Sequence, residues 1–165
     1  MDKYYYLVSQ LPMLFFDKEP AISYENFMAE AEKWLSPKDF ALVSTLDMAE
    51  MAAKRADPAV LKTYKEAEQE IRSDLVAWRR EKKSGREHKP AAFAASVVKE
   101  GNPLQVEKNL LKLRWDLLSE MESGHHFDLE SIVLYRLKLQ ILQRLAQFNK
   151  ERGMEKYQSL YKVSL

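Results

Sequence analysis

Three of the six prolines stand one residue after a side chain that caps helices: Ser36-Pro37, Asp57-Pro58 and Asn102-Pro103. Proline at the first helical position costs nothing, because the amide it lacks has no partner inside the helix there. Its fixed φ already suits the turn. The residue before it offers a side-chain oxygen to an amide of the first turn. Ser23 and Asp128 can act as caps without a following proline, and the chain has only four glycines, Gly85, Gly101, Gly124 and Gly153. So few glycines argue against a sheet protein with many tight turns. The chain therefore reads as all-α, a helical bundle forming a single domain over residues 1–165.

Apolar spacing assigns the helices their faces. Ser23 opens a helix with Phe27, Met28, Ala31, Trp34 and Leu35 as its apolar positions. Ser36-Pro37 opens a second, with Asp39 in its first turn, then Phe40, Val43, Leu46 and a reach toward Met51. The helix after Asp57-Pro58 runs to Lys83, with Gly85 just beyond its end. Tyr64, Ile71 and Trp78 recur at every seventh place, with Leu61, Ala67 and Leu75 between them. That is a narrow apolar stripe. The other faces carry i,i+4 pairs such as Lys62–Glu66 and Glu68–Arg72. At 1.5 Å per residue this helix is roughly 39 Å long. A narrow stripe on so long a rod predicts one long projecting helix or a hairpin arm over residues 58–90, ending in the basic tip "RREKKSGREHKP".

The second half follows the same rules. "AAFAASVVKEG" predicts a short helix ending at Gly101. Asn102-Pro103 starts a helix with Val106, Leu110, Leu113, Leu117 and Met121 on one face, widened by Leu111, Trp115 and Leu118. Asp128 caps a last long helix through Arg152, closed by Gly153. Its apolar residues, Ile132, Leu134, Leu137 and Ile141 among them, wrap most of its surface. It is expected to be the best-buried helix. "MEKYQSLYKVSL" is a final short helix or a tail.

The opening stretch "YYYLVSQLPMLFF", Tyr4 to Phe16, contains no charge. It lacks the basic start and small-x-small site of a signal peptide. It is also shorter than the roughly 20 apolar residues of a membrane helix. It is expected to be an integral first element of the fold, as a strand or a helix. The absence of cysteine excludes disulfides and thiolate metal sites and fits a reducing compartment. A net charge of +1 sets up no global field toward nucleic acid or membrane.

No GxxxxGK[ST], GxGxxG or GxSxG pattern occurs in the chain. His125 and His126, near Asp128 and Glu130, lack the i,i+4 spacing that places two imidazoles on one metal. An exposed helix–helix turn is the expectation there. An enzyme using His125, His126 and Glu130 is the rival, and tight stoichiometric metal would support it. The segment Arg79–Lys89 has six basic and two acidic residues beside Trp78. Charge patterning reads it as a solvated tip. Basic residues beside an aromatic also form the minimum footprint of nucleic-acid binding. A free-standing helical adaptor or nucleic-acid-binding module using residues 79–89 is therefore the alternative.

Both ends of the chain resemble known sequences. "YYYLVSQLPML" with "PAISYENFMAEAEKWLSPKDF" looks like an uncharacterised bacterial family encoded among the genes of V/A-type ATPases. "NPLQVEKNLLKLRWDLLSEM" and "FDLESIVLYRLKLQILQRLAQFNKERG" resemble the closing helices of the C-type subunit of those enzymes, called d in the eukaryotic pump. Glu107, Tyr135 and Lys150 to Gly153 are the matching positions. The resemblance implies a non-catalytic subunit without cofactor or metal, linking the central stalk to the membrane rotor ring. It implies a cytoplasmic protein, peripheral to the membrane through its complex, with no span of its own and no nucleic acid. Interface cores favour aromatic residues and arginine, so the partner face is expected at Tyr64, Arg72, Trp78, Arg79 and Arg80, with part of the stripe exposed in the isolated protein. A far-ultraviolet circular dichroism spectrum should show the double minimum of helix; a strand-dominated spectrum would overturn the fold class.

Overall fold

The computed structural model describes residues 4–99, 101–148 and 150–162, and among these the side chains of residues 150–152 and 162 lie outside the description. The described residues are helical, without a strand. In order the helices are α1 (Tyr5–Gln10), α2 (Tyr24–Trp34), α3 (Pro37–Thr45), α4 (Ala59–Lys83), α5 (Ser96–Lys99), α6 (Pro103–Met121), α7 (Leu129–Ala146) and α8 (Lys150–Lys162). Among the described residues no helix is long and apolar enough to cross a membrane.

The caps work as their chemistry requires. Ser23 accepts from the Asn26 amide, Ser36 from Asp39, Asn102 from Leu104 and Asp128 from Ser131. Asp57 is the exception. Pro58 takes the cap position of α4, and its side chain makes no capping bond. The Asp57 carboxylate instead accepts from the Lys54 amide at 2.8 Å and from Lys65 Nζ at 2.7 Å. Lys65 is buried, and a buried ammonium needs a counter-charge more than a helix needs one capping bond.

Helix α7 is the shared wall of two cores. One of its faces presents Ile132 and Leu139 to Tyr4, Leu7, Phe27, Ala31, Leu35 and Val43 of the N-terminal segment and its helices. The other presents Val133, Leu134, Leu137, Ile141 and Leu142 to Leu61 and Tyr64 of α4 and to Leu111, Trp115 and Leu118 of α6. This fits the expectation that the last long helix is the best buried. Its buried set also includes the cations Arg136 and Lys138. Each lies over an aromatic ring, Arg136 at 4.5 Å from the Tyr24 centroid and Lys138 at 4.9 Å from that of Trp115. Lys138 also pairs with Glu122 at 2.7 Å.

Residues 4–16 are an integral part of this body. The Tyr4 amide donates to the Phe127 carbonyl, and its hydroxyl hydrogen-bonds to Asp39. Leu7 is fully buried, and the Tyr135 hydroxyl donates to the Pro12 carbonyl at 2.8 Å. The local form left open by the sequence is a helix over Tyr5–Gln10, followed by chain without regular structure through Leu14.

Helices α4 and α6 form a hairpin stapled by buried charge. Glu68 is 1% exposed; Arg114 Nε donates to its Oε2 at 2.7 Å and Nη2 to its Oε1 at 2.8 Å. Arg72 Nε adds a third bond, at 2.8 Å. Beyond this staple a third core joins Ile71 and Leu75 of α4 to Phe93, Val98 and Leu110. The stripe of α4 is therefore covered by α6, α7 and the chain around α5 rather than bare.

Three boundaries differ from expectation. Helix α3 stops at Thr45, and Met51 lies outside it. The Gln140 side chain clamps the following backbone, accepting from the Met48 amide and donating to the Leu46 carbonyl. The helix in 91–101 shortens to one turn because Phe93 enters the third core from an irregular stretch of chain. The last long helix ends at Ala146, and Gly153 lies inside α8 instead of closing α7.

Glu68→Ala should cost about 3–5 kcal/mol in urea unfolding, because Arg114 is left buried without its partner. The apolar double variant Glu68→Met with Arg114→Met should recover most of that loss; a single variant within about 0.5 kcal/mol of wild type would overturn the staple.

Candidate functional site

The basic tip is built rather than loose. Helix α4 ends in a reversal at Gly85, whose φ is 71°. The Arg86 amide donates to Glu81 O at 2.9 Å and the Gly85 amide to Lys82 O at 3.1 Å, the pair of bonds that closes a glycine-terminated helix. The chain then returns along α4 and is caught by Asp74. One oxygen of that carboxylate accepts from the Ala91 amide at 2.7 Å and the Ala92 amide at 2.6 Å; the other lies 3.5 Å from His88 Nε2. The Ala92 bond is the main reason why the Asp74 carboxyl is held below the ordinary 3.8; partial burial pushes the other way, and the Ala91 and His88 contacts add to the lowering. Pro90 and Phe93 are buried just past this staple.

The returning chain leaves a groove of about 670 Å³ between the end of α4 and α5. Half-buried Trp78 forms its apolar floor, with the Lys82 ammonium 4.7 Å from the ring centroid. Arg86, His88 and Lys89 come from the loop, and Lys99 faces them from α5. Glu87 is the acid in the lining. Arg86 is committed to Glu81 at 3.1 Å.

The five residues expected to form the partner face separate. Trp78 lies in the groove. Arg79 and Arg80 are exposed on neighbouring faces of α4 and do not line it. Arg72 is bound to Glu68 and serves the hairpin staple. Tyr64 is 1% exposed in the main core, and its burial raises its hydroxyl pKa far above the usual value. It is not available to a partner in this fold. The reason is that the stripe of α4 meets α6 and α7 along its first half, which spacing on one helix cannot show. Lys99 and the organising Asp74 lie outside the sequence-based selection. Lys99 is 17 residues from Lys82 in the chain, and Asp74 reads as one more acid on a charged helix.

Elsewhere, ligand atoms of His125, Asp128 and Glu130 lie within 4.8 Å of one another. Both Asp128 oxygens are already engaged, one by the Ser131 amide and the other by His125 Nδ1 at 2.6 Å. This arrangement is a helix cap with a histidine closing the turn. Of the positions matched to the C-type subunit, Glu107 lies 3.5 Å from Arg144 and Tyr135 holds the N-terminal segment at Pro12. Asn149 and the side chains of Lys150 to Arg152 lie outside the described residues.

A family model described as "Protein of unknown function (DUF2764)" matches residues 95–163. That span covers α5 through α8 and is less than half of the chain. No curated protein and no solved structure matches the chain.

Asp74→Ala should speed hydrogen exchange at the Ala91 and Ala92 amides while leaving the main melting transition in place; unchanged exchange would overturn the staple. Asp57, Asp74 and Asp128 all have carboxyl pKa values below 3.8 in the fold. The unfolded chain therefore takes up protons first as pH falls. The stability they lend is complete above their unfolded values and is lost as pH drops through their lower folded ones. Melting temperature should hold from about pH 7 to 5 and fall steeply below about pH 4; a flat profile down to about pH 2.5 would contradict this.

Proposed function

We propose that this chain is a non-catalytic, partner-binding component of a V/A-type ATPase, similar to the C-type subunit, with a place between the central stalk and the membrane rotor ring. The observation that carries the proposal is where the resembling stretches lie. The N-terminal one packs through Leu7, Phe27, Ala31 and Leu35 directly on Ile132 and Leu139 of α7. Tyr4 bonds to Phe127, and Tyr135 bonds to Pro12. The two ends that resemble that assembly thus form a contiguous packed unit, as a shared structural part would.

The use of the buried polar groups supports a mechanical role. Glu68, Arg114, Asp57 and Lys65 pair with each other inside the body. Glu68 and Arg114 hold α4 against α6, and Asp57 and Lys65 tie α4 to the chain before it. A part that transmits torque between partners needs stiff helices and contact surfaces; it needs no reacting group. Surfaces of that kind are present: α1 and α2 expose Tyr5, Tyr6 and Trp34, with Tyr6 stacked on Trp34 at 5.4 Å, and α8 exposes Met154, Tyr157 and Tyr161. Exposed aromatic groupings of this sort are characteristic of contact sites.

The test is affinity purification of the tagged chain from native membranes in mild detergent at low salt. Stalk and ring components of a V/A-type ATPase should be recovered with it; recovery of none would overturn the reading. Trp78→Ala should lower recovery more than it lowers the melting temperature. Tyr64→Ala, by contrast, should act through folding, at a cost of about 3–5 kcal/mol for emptying an aromatic site in the core.

A further inference from the structure

The cations of the hairpin tip are more than its helix requires. Arg80, Lys82 and Lys83 lie in the last turn of α4, where positive charge complements the helix dipole. That account does not reach Lys89, which is on the return loop, or Lys99, which is on α5. Both line the same groove as Lys82 and Trp78. Among the described residues neither has a carboxylate partner at salt-bridge distance. Three ammonium groups from three separate segments thus converge around an aromatic floor, and the Asp74 staple holds the loop that brings one of them there.

We propose that this groove docks an acidic segment of a partner protein, which sets an apolar side chain against Trp78 and carboxylates against Lys82, Lys89 and Lys99. The proposal rests on the partner-binding reading above and names the chemistry of one contact. Charge complementarity selects an acidic occupant. Its extent selects a short peptide over a polynucleotide. The positive region ends within a few turns along α4, where exposed Glu66 and Glu70 line the surface. They lie 12 or more residues from Lys82, roughly 18 Å along the helix. A long polyanion following the arm would meet those acids, and the net charge of +1 draws none in from a distance.

The test uses the full chain and a fluorescein-labelled peptide of sequence Glu-Glu-Leu-Phe-Asp-Glu-Glu, followed by anisotropy at low salt and by the indole N–H resonance of Trp78. Binding should saturate, move that resonance, and weaken about tenfold or more in the double variant Lys82→Glu with Lys99→Glu, the loss typical of reversing charges that face opposite charge. All three substituted side chains of the companion variant, which adds Lys89→Glu, are exposed, so melting should fall only slightly, through the reversed charge at the end of α4, and folding is not the cause. Unsaturable binding, or equal affinity in the variant, overturns the proposal. So does tighter binding of a deoxythymidine oligonucleotide than of the peptide, which would give the groove to nucleic acid. The two readings fail separately. Recovery of ATPase components equally by wild type and variant removes the groove and leaves the rotor role. Peptide binding without recovery of any ATPase component keeps the groove and removes that role.

Discussion

The bond between Glu68 and Arg114 fixes where everything else on the α4–α6 hairpin can lie. A carboxylate at 1% exposure is tolerable only with its charge matched and its oxygens occupied, and Arg114 supplies two bonds while Arg72 supplies a third. Sliding α4 along α6 by one turn would leave both charges buried and unpaired. Apolar contacts alone would not penalise that slide so heavily, since Leu110, Leu111 and Leu118 would find other apolar neighbours. The register set at Glu68 places Ile71 and Leu75 opposite Leu110. This in turn seats Phe93 and Val98 and carries Trp78 to the open end of the hairpin.

Helix α7 performs the equivalent task for the rest of the molecule. It is apolar on two opposed faces, so it can separate two cores instead of covering one. Its buried and half-buried polar residues Gln140, Lys138 and Arg136 each have a distinct partner. Gln140 completes the backbone bonds of Leu46 and Met48, Lys138 reaches Glu122 across Trp115, and Arg136 lies over Tyr24. Arg136 Nε and Nη1 have no hydrogen-bond acceptor among the described residues. The ring face offsets part of that cost, because a weakly hydrated guanidinium loses less on leaving water than an ammonium does.

The candidate site was only half legible. Trp78 and the basic run were visible as composition, and the groove they form was not. It depends on Asp74, which reads in sequence as an exposed acid and in the fold accepts two backbone amides from a loop 17 residues away. Tyr64 is the opposite case. It shares a heptad stripe with Trp78, yet the first half of that stripe meets α6 and α7 while the second half meets the start of α6 and a thin layer from α5 and its flanks. Spacing reports that two residues share a face; it carries no information on what the face touches.

The sequence by itself determined the helical class and the starts of α2, α3, α6 and α7, with that of α4 one residue early. Capping is local chemistry: Ser23, Ser36, Asn102 and Asp128 each bond an amide two or three residues on, whatever the rest of the chain does. The end of α4 was equally readable, because a glycine at positive φ is a requirement of the turn itself. Tertiary structure alone decided which charges are inside. Asp57 left its capping position for Lys65, Glu68 turned to Arg114 as well as to the expected Arg72, and Lys138 went under Trp115. The price of burying a charge depends on the partner that meets it, and Glu68 meets Arg114 from 46 residues away, across a fold that must already exist.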